Sequence, residues 1–302
     1  MAHVKLVLRQ PDPYRGGVHR SEPAPLPEPL PAPVCDSHTH LDIVAGRDPE
    51  DGAGAPEPGE AAVRELIDRA EASGVGTMVQ VGTDLESSRW ASDLAAADHR
   101  VLAAVALHPN EAPLTADLDA ALAAIDELAA LPRVAAVGET GLDYYRTGET
   151  GRAAQAESFR GHVEIAKRRG KALVIHDRDA HDDVLSVLDE EGAPERVVMH
   201  CFSGDAAFAA ECARRGYFMS FAGNVTFKNA AMLRGAAAAA PAEAVLVETD
   251  APFMAPVPVR GHRNHPALTA YTARFLAEHL DRDLEKWCLQ LAENSRRAFG
   301  DW

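Results

Sequence analysis

The sequence has little of what marks a secreted or membrane protein. Four cysteines among 302 residues show neither C-x-x-C spacing nor the disulfide framework of a small secreted domain. No apolar run approaches the roughly 20 residues that a membrane-spanning helix needs. The N-terminus also lacks the apolar segment and the cleavage site of a secretory signal. We therefore expect a cytoplasmic protein without membrane contact.

Basic residues are scarce relative to acidic ones. The 30 lysines and arginines stand against 46 aspartates and glutamates, which gives a formal net charge of −16. Such a surface repels phosphate backbones on average, and this argues against a broad footprint along a nucleic-acid duplex. A nucleic-acid substrate would have to be held locally, by a few cationic side chains and by metal ions.

Proline is concentrated near the N-terminus. Eight of the 20 prolines fall within residues 1–33, and from Pro23 to Pro33 every second residue is proline. This pattern supplies few backbone donors and favours extended polyproline geometry. We therefore predict a flexible N-terminal extension over residues 1–33 and a single folded domain over residues 34–302.

From Val34 onward, short β-branched runs alternate with long alanine-rich helical stretches. Eight strands are predicted, at residues 34–38, 75–81, 101–107, 134–139, 172–176, 196–200, 216–221 and 244–250. Eight strands, each followed by a helix, are typical of an α/β fold of the (β/α)8 or TIM barrel type. An open doubly wound sheet is the alternative, but no glycine-rich phosphate loop separates the first strand from the first helix.

Side chains of the kind that bind metal ions lie at the ends of five predicted strands. The first strand ends in the sequence DSHTH, where the alternation of a strand puts Asp36, His38 and His40 on one face. The other strands concerned are the fourth, fifth, sixth and eighth, which end in Glu139, His176, His200 and Asp250. In a barrel these ends converge on one rim, where barrel active sites lie.

The number of these side chains favours metal binding over a structural role. A lone histidine at a strand end is more often a hydrogen-bonded structural group, but six ligand-type side chains at carboxyl ends and none at amino ends are hard to explain in that way. Four imidazoles and two carboxylates exceed the needs of one tetrahedral ion. They suit two divalent cations with one bridging carboxylate and open positions for water. Zn, Mn, Mg and Ni are all compatible with such ligands.

Five motifs, in this order, resemble those of the TatD-type metal-dependent hydrolases, a branch of the amidohydrolase-like barrels. The motifs are DSHTHL at 36–41, GETGLDY at 138–144, IHDR at 175–178, HCFSG at 200–204 and ETDAP at 248–252. The resemblance extends from about residue 34 to about residue 299. The ligands it implies are His38, His40 and Asp250 for one metal ion, His176 and His200 for the other, and Glu139 as the bridge.

The resemblance also implies a reaction. The family is described as deoxyribonucleases that act from the 3′ end, so we expect a 3′–5′ exodeoxyribonuclease that attacks DNA ends with metal-activated water. Glu139 and Asp250 are the expected catalytic residues, with Asp250 as the general base. An amide or ester hydrolase with another small substrate, such as a D-aminoacyl-tRNA deacylase, is the alternative, and a non-catalytic metal-binding protein is a third possibility. The sequence indicates no protein partner.

Further residues near the strand ends are expected to assist. Five cationic side chains follow strands four, five, seven and eight and predict a local anion site on the rim: Arg146, Arg178, Lys228, Arg260 and Arg263. Of these, Arg178 and Arg263 are the predicted phosphate contacts. His108, after the third strand, is predicted to face the substrate. Asp36 and Glu248 lie one layer deeper and are predicted to orient the ligand imidazoles.

Overall fold

The computed structural model describes residues 24–47 and 58–300 and contains one sheet of eight parallel strands. The strands are β1 (Val34–Thr39), β2 (Val75–Val81), β3 (Val101–Val105), β4 (Val134–Asp143), β5 (Ala172–Arg178), β6 (Val197–Met199), β7 (Phe218–Phe221) and β8 (Val245–Val247). Each strand pairs with the next along the chain, and a bridge between Thr39 and Ala251 links β1 to the residues just after β8. The predicted (β/α)8 barrel is therefore confirmed.

Helices connect the strands on the outside of the barrel. They are α1 (Leu41–Val44), α2 (Glu60–Ala72), α3 (Leu85–Ala97), α4 (Leu118–Ala129), α5 (Glu149–Arg169), α6 (His181–Glu191), α7 (Ala206–Arg214), α8 (Ala231–Ala239), α9 (Thr269–His279) and α10 (Leu284–Phe299). Four of them begin at an aspartate whose carboxylate accepts a backbone N–H of the first turn, namely Asp84, Asp117, Asp205 and Asp283. Among the residues that the structure describes, no helix combines the length and apolar character that crossing a bilayer requires.

Two apolar layers hold the barrel together. The larger layer packs one face of the strands against the helices, as where Met78 of β2 and Ile67 of α2 join one cluster. The smaller layer consists of side chains at the alternate strand positions, such as Val79 and Leu102, and it includes Phe299 of α10. Because side chains alternate along a strand, this second layer fills the inside of the barrel below the rim.

The described part of the N-terminal segment, residues 24–33, lies in part against the barrel. Leu30 and Ala32 are buried there, whereas Leu26 is exposed. The guanidinium of Arg274 donates to the backbone carbonyls of Glu28 and Pro29, at 3.0 and 2.7 Å. The flexibility of the extension stays a prediction, and residues 1–23 lie outside the described residues.

His162, on the inner face of α5, is expected to make the fold acid-sensitive. Its Nδ1 donates to the carbonyl of Ser158 at 2.7 Å, and its Nε2 accepts the backbone N–H of Leu107 at 3.1 Å. The bond from Leu107 requires a neutral ring, because a protonated Nε2 cannot accept, and burial lowers the pKa of His162 from 6.5 to about 4. Between these two values the unfolded chain binds the proton more readily than the folded one, so stability decreases as the pH falls.

The free energy of unfolding should therefore drop by about 1.4 kcal/mol for each pH unit below 6.5, and by about 3 kcal/mol in total. Urea unfolding at several pH values measures the effect, with His162→Gln as the comparison. Glutamine can make the same two hydrogen bonds without titrating, so its curve should be flatter in this window. Parallel curves for the two proteins would show that His162 is not the responsible group.

Candidate metal centre

Glu139, at the end of the predicted fourth strand, lies at the centre of the six predicted ligands. Its two carboxylate oxygens face different histidines. Oε2 lies 3.4 Å from His38 Nε2. Oε1 lies 2.6 Å from His176 Nδ1 and 3.0 Å from His200 Nε2. Each oxygen therefore faces its own set of histidines, an arrangement in which one carboxylate could contact two cations.

The Oε2 side of Glu139 also includes His40 and Asp250. The Nε2 atoms of His38 and His40 are 3.3 Å apart, and His40 Nε2 lies 3.7 Å from Asp250 Oδ1. Asp250 has a left-handed backbone, with φ of 51°. Its backbone N–H donates to the carbonyl of His38 at 2.9 Å. This bond holds the Asp250 carboxylate beside His38 and His40.

Two of the imidazoles are fixed in the orientation that metal binding requires. His40 Nδ1 donates to the carbonyl of Val81 at 3.1 Å. His200 Nδ1 lies 3.1 Å from Glu248 Oε1, which also accepts the backbone N–H of Cys201 at 2.8 Å. An N–H on Nδ1 leaves Nε2 as the free lone pair, and such partners commonly orient metal-bound histidines. The structure thus places the Glu248 carboxylate against the His200 ring.

Asp36 has a different set of contacts from the predicted one. Its carboxylate accepts the backbone N–H of Thr249 at 2.8 Å, the Thr249 hydroxyl at 2.6 Å and the backbone N–H of His38 at 3.3 Å. The pairing of β1 with β2 shifts register between Asp36 and Thr39. This irregularity breaks the simple alternation on which the prediction rested. Asp36 therefore joins β1 to the segment after β8, and it acts on the imidazoles only through the backbone.

Asp143 is a site residue that the sequence reasoning missed. Its Oδ2 lies 3.2 Å from His176 Nε2, on the opposite side of the ring from Glu139. The prediction ended the fourth strand at Glu139, whereas β4 continues to Asp143. The signal was present, because two residues further along a strand return to the same face and Asp143 is four beyond Glu139.

Gly141 permits this extension of β4. Its φ is +134°, and a Cβ at this position would lie 2.1 Å from the carbonyl oxygen of His176. Any larger residue would collide with β5, so the close approach of the two strands requires glycine. The consequence is that Asp143 reaches the far side of the His176 ring.

The buried carboxylates draw positive charge into the centre. Burial opposes a charge on His176, but hydrogen bonds to Asp143 and Glu139 outweigh it and raise the pKa of His176 to about 9. Burial likewise opposes a charge on His200, yet Glu139 and Glu248 raise its pKa well above the usual range. A site that stabilises imidazolium in this way also stabilises a metal cation in the same position.

The two predicted catalytic carboxylates have opposite electrostatic environments. Burial alone would raise the pKa of Glu139, but His200 and His108 hold it well below its usual range. Asp250 has fewer compensating partners, and burial raises its pKa to about 8. Glu139 is therefore a permanent anion, whereas Asp250 has the higher proton affinity of the two.

The donor atoms fit divalent cations. Three groups of side chains within the described residues have their ligand atoms within 4.8 Å of one another: His38, His40 and Glu139; His108, Glu139 and His176; and His38, His200 and Glu248. The third group suits a metal least, because one Glu248 oxygen already accepts two hydrogen bonds. The first two groups share Glu139 and consist of imidazole nitrogen and carboxylate oxygen, which suit Zn, Mn or Ni.

The predicted substrate contacts lie around this centre. His108 Nε2 is 3.4 Å from Glu139 Oε1. The guanidinium of Arg178 lies over the ring of Tyr145, 4.1 Å from its centroid. Arg263 donates to the backbone carbonyl of Ile43, so it ties the segment after β8 to α1. Of the three, His108 is the one that the structure brings into contact with a predicted ligand.

Comparisons with known proteins give consistent matches. A model of the family described as TatD related DNase matches residues 35–300. An uncharacterized metal-dependent hydrolase of Mycobacterium tuberculosis, named TatD, is 47% identical over 271 residues, which are 88% of this chain and 98% of that protein. The metal-dependent hydrolase YabD of Bacillus subtilis is 36% identical over 268 residues, with 88% and 98% covered. The crystal structure of YJJV, a TatD homolog of Escherichia coli, has a TM-score of 0.78 at 26% identity and covers 89% of this chain and 98% of that one.

Proposed function

The chain belongs to the family of TatD-related DNases and is a metal-dependent hydrolase, and from this premise we propose that it is a two-metal exonuclease acting on the 3′ ends of DNA. The two-metal proposal rests on the two carboxylate oxygens of Glu139, which face different histidines. Oε2 faces His38, and Oε1 faces His176 and His200. The description of the family supports DNA as the substrate.

Two sets of side chains would hold the metal ions. The proposed ligands are His38, His40 and Asp250 for one ion, His176 and His200 for the other, and Glu139 for both. Divalent cations in such a site lower the pKa of water and stabilise negative charge on a reacting phosphate.

Asp250 is the proposed general base. A general base must lie within hydrogen-bond reach of the water whose proton it takes, and Asp250 lies 3.7 Å from His40 Nε2 beside the proposed ligands. Its backbone bond to His38 fixes it at the edge of the centre, where it can take the proton of the attacking water.

The net charge of the protein is the basis for proposing that it binds only the end of a DNA strand. The net charge of −16 disfavours a long contact with phosphates. Arg178 and Arg263 are proposed to hold two or three phosphates near the strand end. Counterion release then predicts a slope of log affinity against log salt of roughly −2 to −3.

The test is digestion of an end-labelled single strand and a covalently closed circle side by side, with Mg²⁺ or Mn²⁺. We expect single nucleotides from the linear strand and an intact circle. Cleavage of the circle would contradict end binding. If neither DNA is cut and an aminoacyl-tRNA ester is hydrolysed instead, the deacylase alternative replaces the nuclease.

Arg178→Ala provides the matched check on phosphate binding. Its KM for DNA should rise roughly tenfold, because one charge-assisted contact of about 1.4 kcal/mol is lost, and metal content should stay unchanged. The control is Arg168→Ala, whose arginine pairs with Asp126 at 3.0 Å on the outer helices. Equal KM values for both variants would remove Arg178 from the substrate site.

A further inference from the structure

We propose that Asp143 and Asn110 are positioning residues that decide which ring nitrogens His176 and His108 present to the centre. Through them His176 offers a bare Nδ1 to a metal ion, whereas His108 offers an N–H on Nε2 to the substrate and is not a metal ligand. The inference rests on the proposed two-metal function and assigns His108, the third imidazole beside Glu139 Oε1, to the substrate.

The first half concerns His176. Its Nε2 faces Asp143 Oδ2 at 3.2 Å, and its Nδ1 faces Glu139 Oε1 at 2.6 Å. A carboxylate accepts hydrogen bonds and donates none when ionised. Asp143 would therefore keep the proton on Nε2, which would leave Nδ1 as the atom that can bind a metal ion.

The Asp143 carboxylate is itself fixed. Its Oδ1 accepts the backbone N–H groups of Tyr145 and Arg146, at 3.0 and 2.7 Å. Its Oδ2 accepts the side-chain amide of Asn110 at 3.2 Å as well as the His176 ring. Each of these four neighbours donates a hydrogen bond. The side chain at position 143 must therefore accept at both of its terminal atoms. An asparagine at this position would direct its NH₂ group against one of these donors.

The second half concerns His108. Its Nδ1 accepts the backbone N–H of Asn110 at 3.0 Å. In a neutral imidazole the other nitrogen then carries the proton. This nitrogen is Nε2, which lies 3.4 Å from Glu139 Oε1. His108 is therefore near enough to the centre to be mistaken for a ligand, but its inward atom is a hydrogen-bond donor.

Asn110 connects the two halves. Its backbone holds His108, and its side chain holds Asp143. Its side-chain oxygen accepts the hydroxyl of Thr147 at 2.9 Å, and Thr147 accepts the amide of Gln155 at 2.7 Å. The two rings are thus oriented by one partly buried network, and a bound metal ion would keep a position for water or substrate that His108 would otherwise fill.

The first test is the Zn²⁺ affinity of the full-length protein, measured by chelator competition, which needs no DNA substrate. Asp143→Asn should weaken one of two bound zinc ions by 10- to 100-fold, the usual effect of losing a partner of a metal-bound histidine. Asp119→Asn on the exposed face of α4 is the matched control. Unchanged zinc affinity in a folded Asp143→Asn protein would overturn the role of Asp143, whether or not DNA is cleaved.

The second test distinguishes whether His108 binds a metal ion or donates a hydrogen bond to the substrate. His108→Ala should keep both zinc ions and lower kcat by 10- to 100-fold, and His108→Gln, which retains a donor, should recover part of that loss. Long-range ¹H–¹⁵N spectra of the zinc-loaded protein should show the His108 proton on Nε2. Loss of a zinc ion from both variants, or a metal-bound Nε2 in the spectrum, would overturn the assignment. The nuclease proposal depends separately on DNA cleavage.

Discussion

Replacing Glu139 with alanine is expected to lower the affinity of the centre for divalent metal by more than about 100-fold. The usual loss on removing a residue that only orients a ligand is 10- to 100-fold, and Glu139 faces both imidazole groups directly. Metal content after dialysis, measured by elemental analysis, tests this. Glu127→Ala, at an exposed position of α4, is the control. A Glu139→Ala protein that retains two metal ions would contradict the bridging role.

Replacing Asp250 with asparagine is expected to lower kcat by roughly 10²- to 10⁴-fold, the usual contribution of a general base. The two side chains have nearly the same shape, and the backbone bond to His38 does not depend on the side chain. The variant protein should therefore still fold. Single-turnover rates at saturating metal measure the chemical step apart from metal affinity. A rate within tenfold of the parent would assign the general base to another group.

The strand ends made the centre predictable from the sequence. A barrel brings the carboxyl ends of its strands to one rim, so His176 and His200 could be placed together although they belong to different strands. The predicted ends of most strands were close to those of the structure. The approximate position of each end was sufficient, because each motif carries its ligand at or near that end.

What could not be predicted depends on departures from regular strands. Asp143 was missed because Gly141 allows β4 to continue past Glu139 against β5. The contacts of Asp36 differ because the register shift in β1 breaks the alternation. The register shift of β1 has no reliable signal in a single sequence, because it arises from the pairing with a second strand.

The N-terminal segment illustrates a different limit. The proline pattern predicts an extended chain, and the structure has no helix or strand between residues 24 and 33. It does not indicate whether such a chain lies against the barrel. Leu30 and Ala32 are buried only because the outer surface of the barrel offers an apolar position for them, and that surface is formed by residues distant in sequence.

The most direct test of the two-metal centre is an anomalous difference map of crystals grown with Mn²⁺ or Zn²⁺. We expect two peaks about 3.5–4 Å apart, the spacing of two-metal hydrolases, with Glu139 between them. His38, His40 and Asp250 should surround one peak, and His176 and His200 the other. A single peak, or two peaks that do not share Glu139, would contradict the two-metal centre.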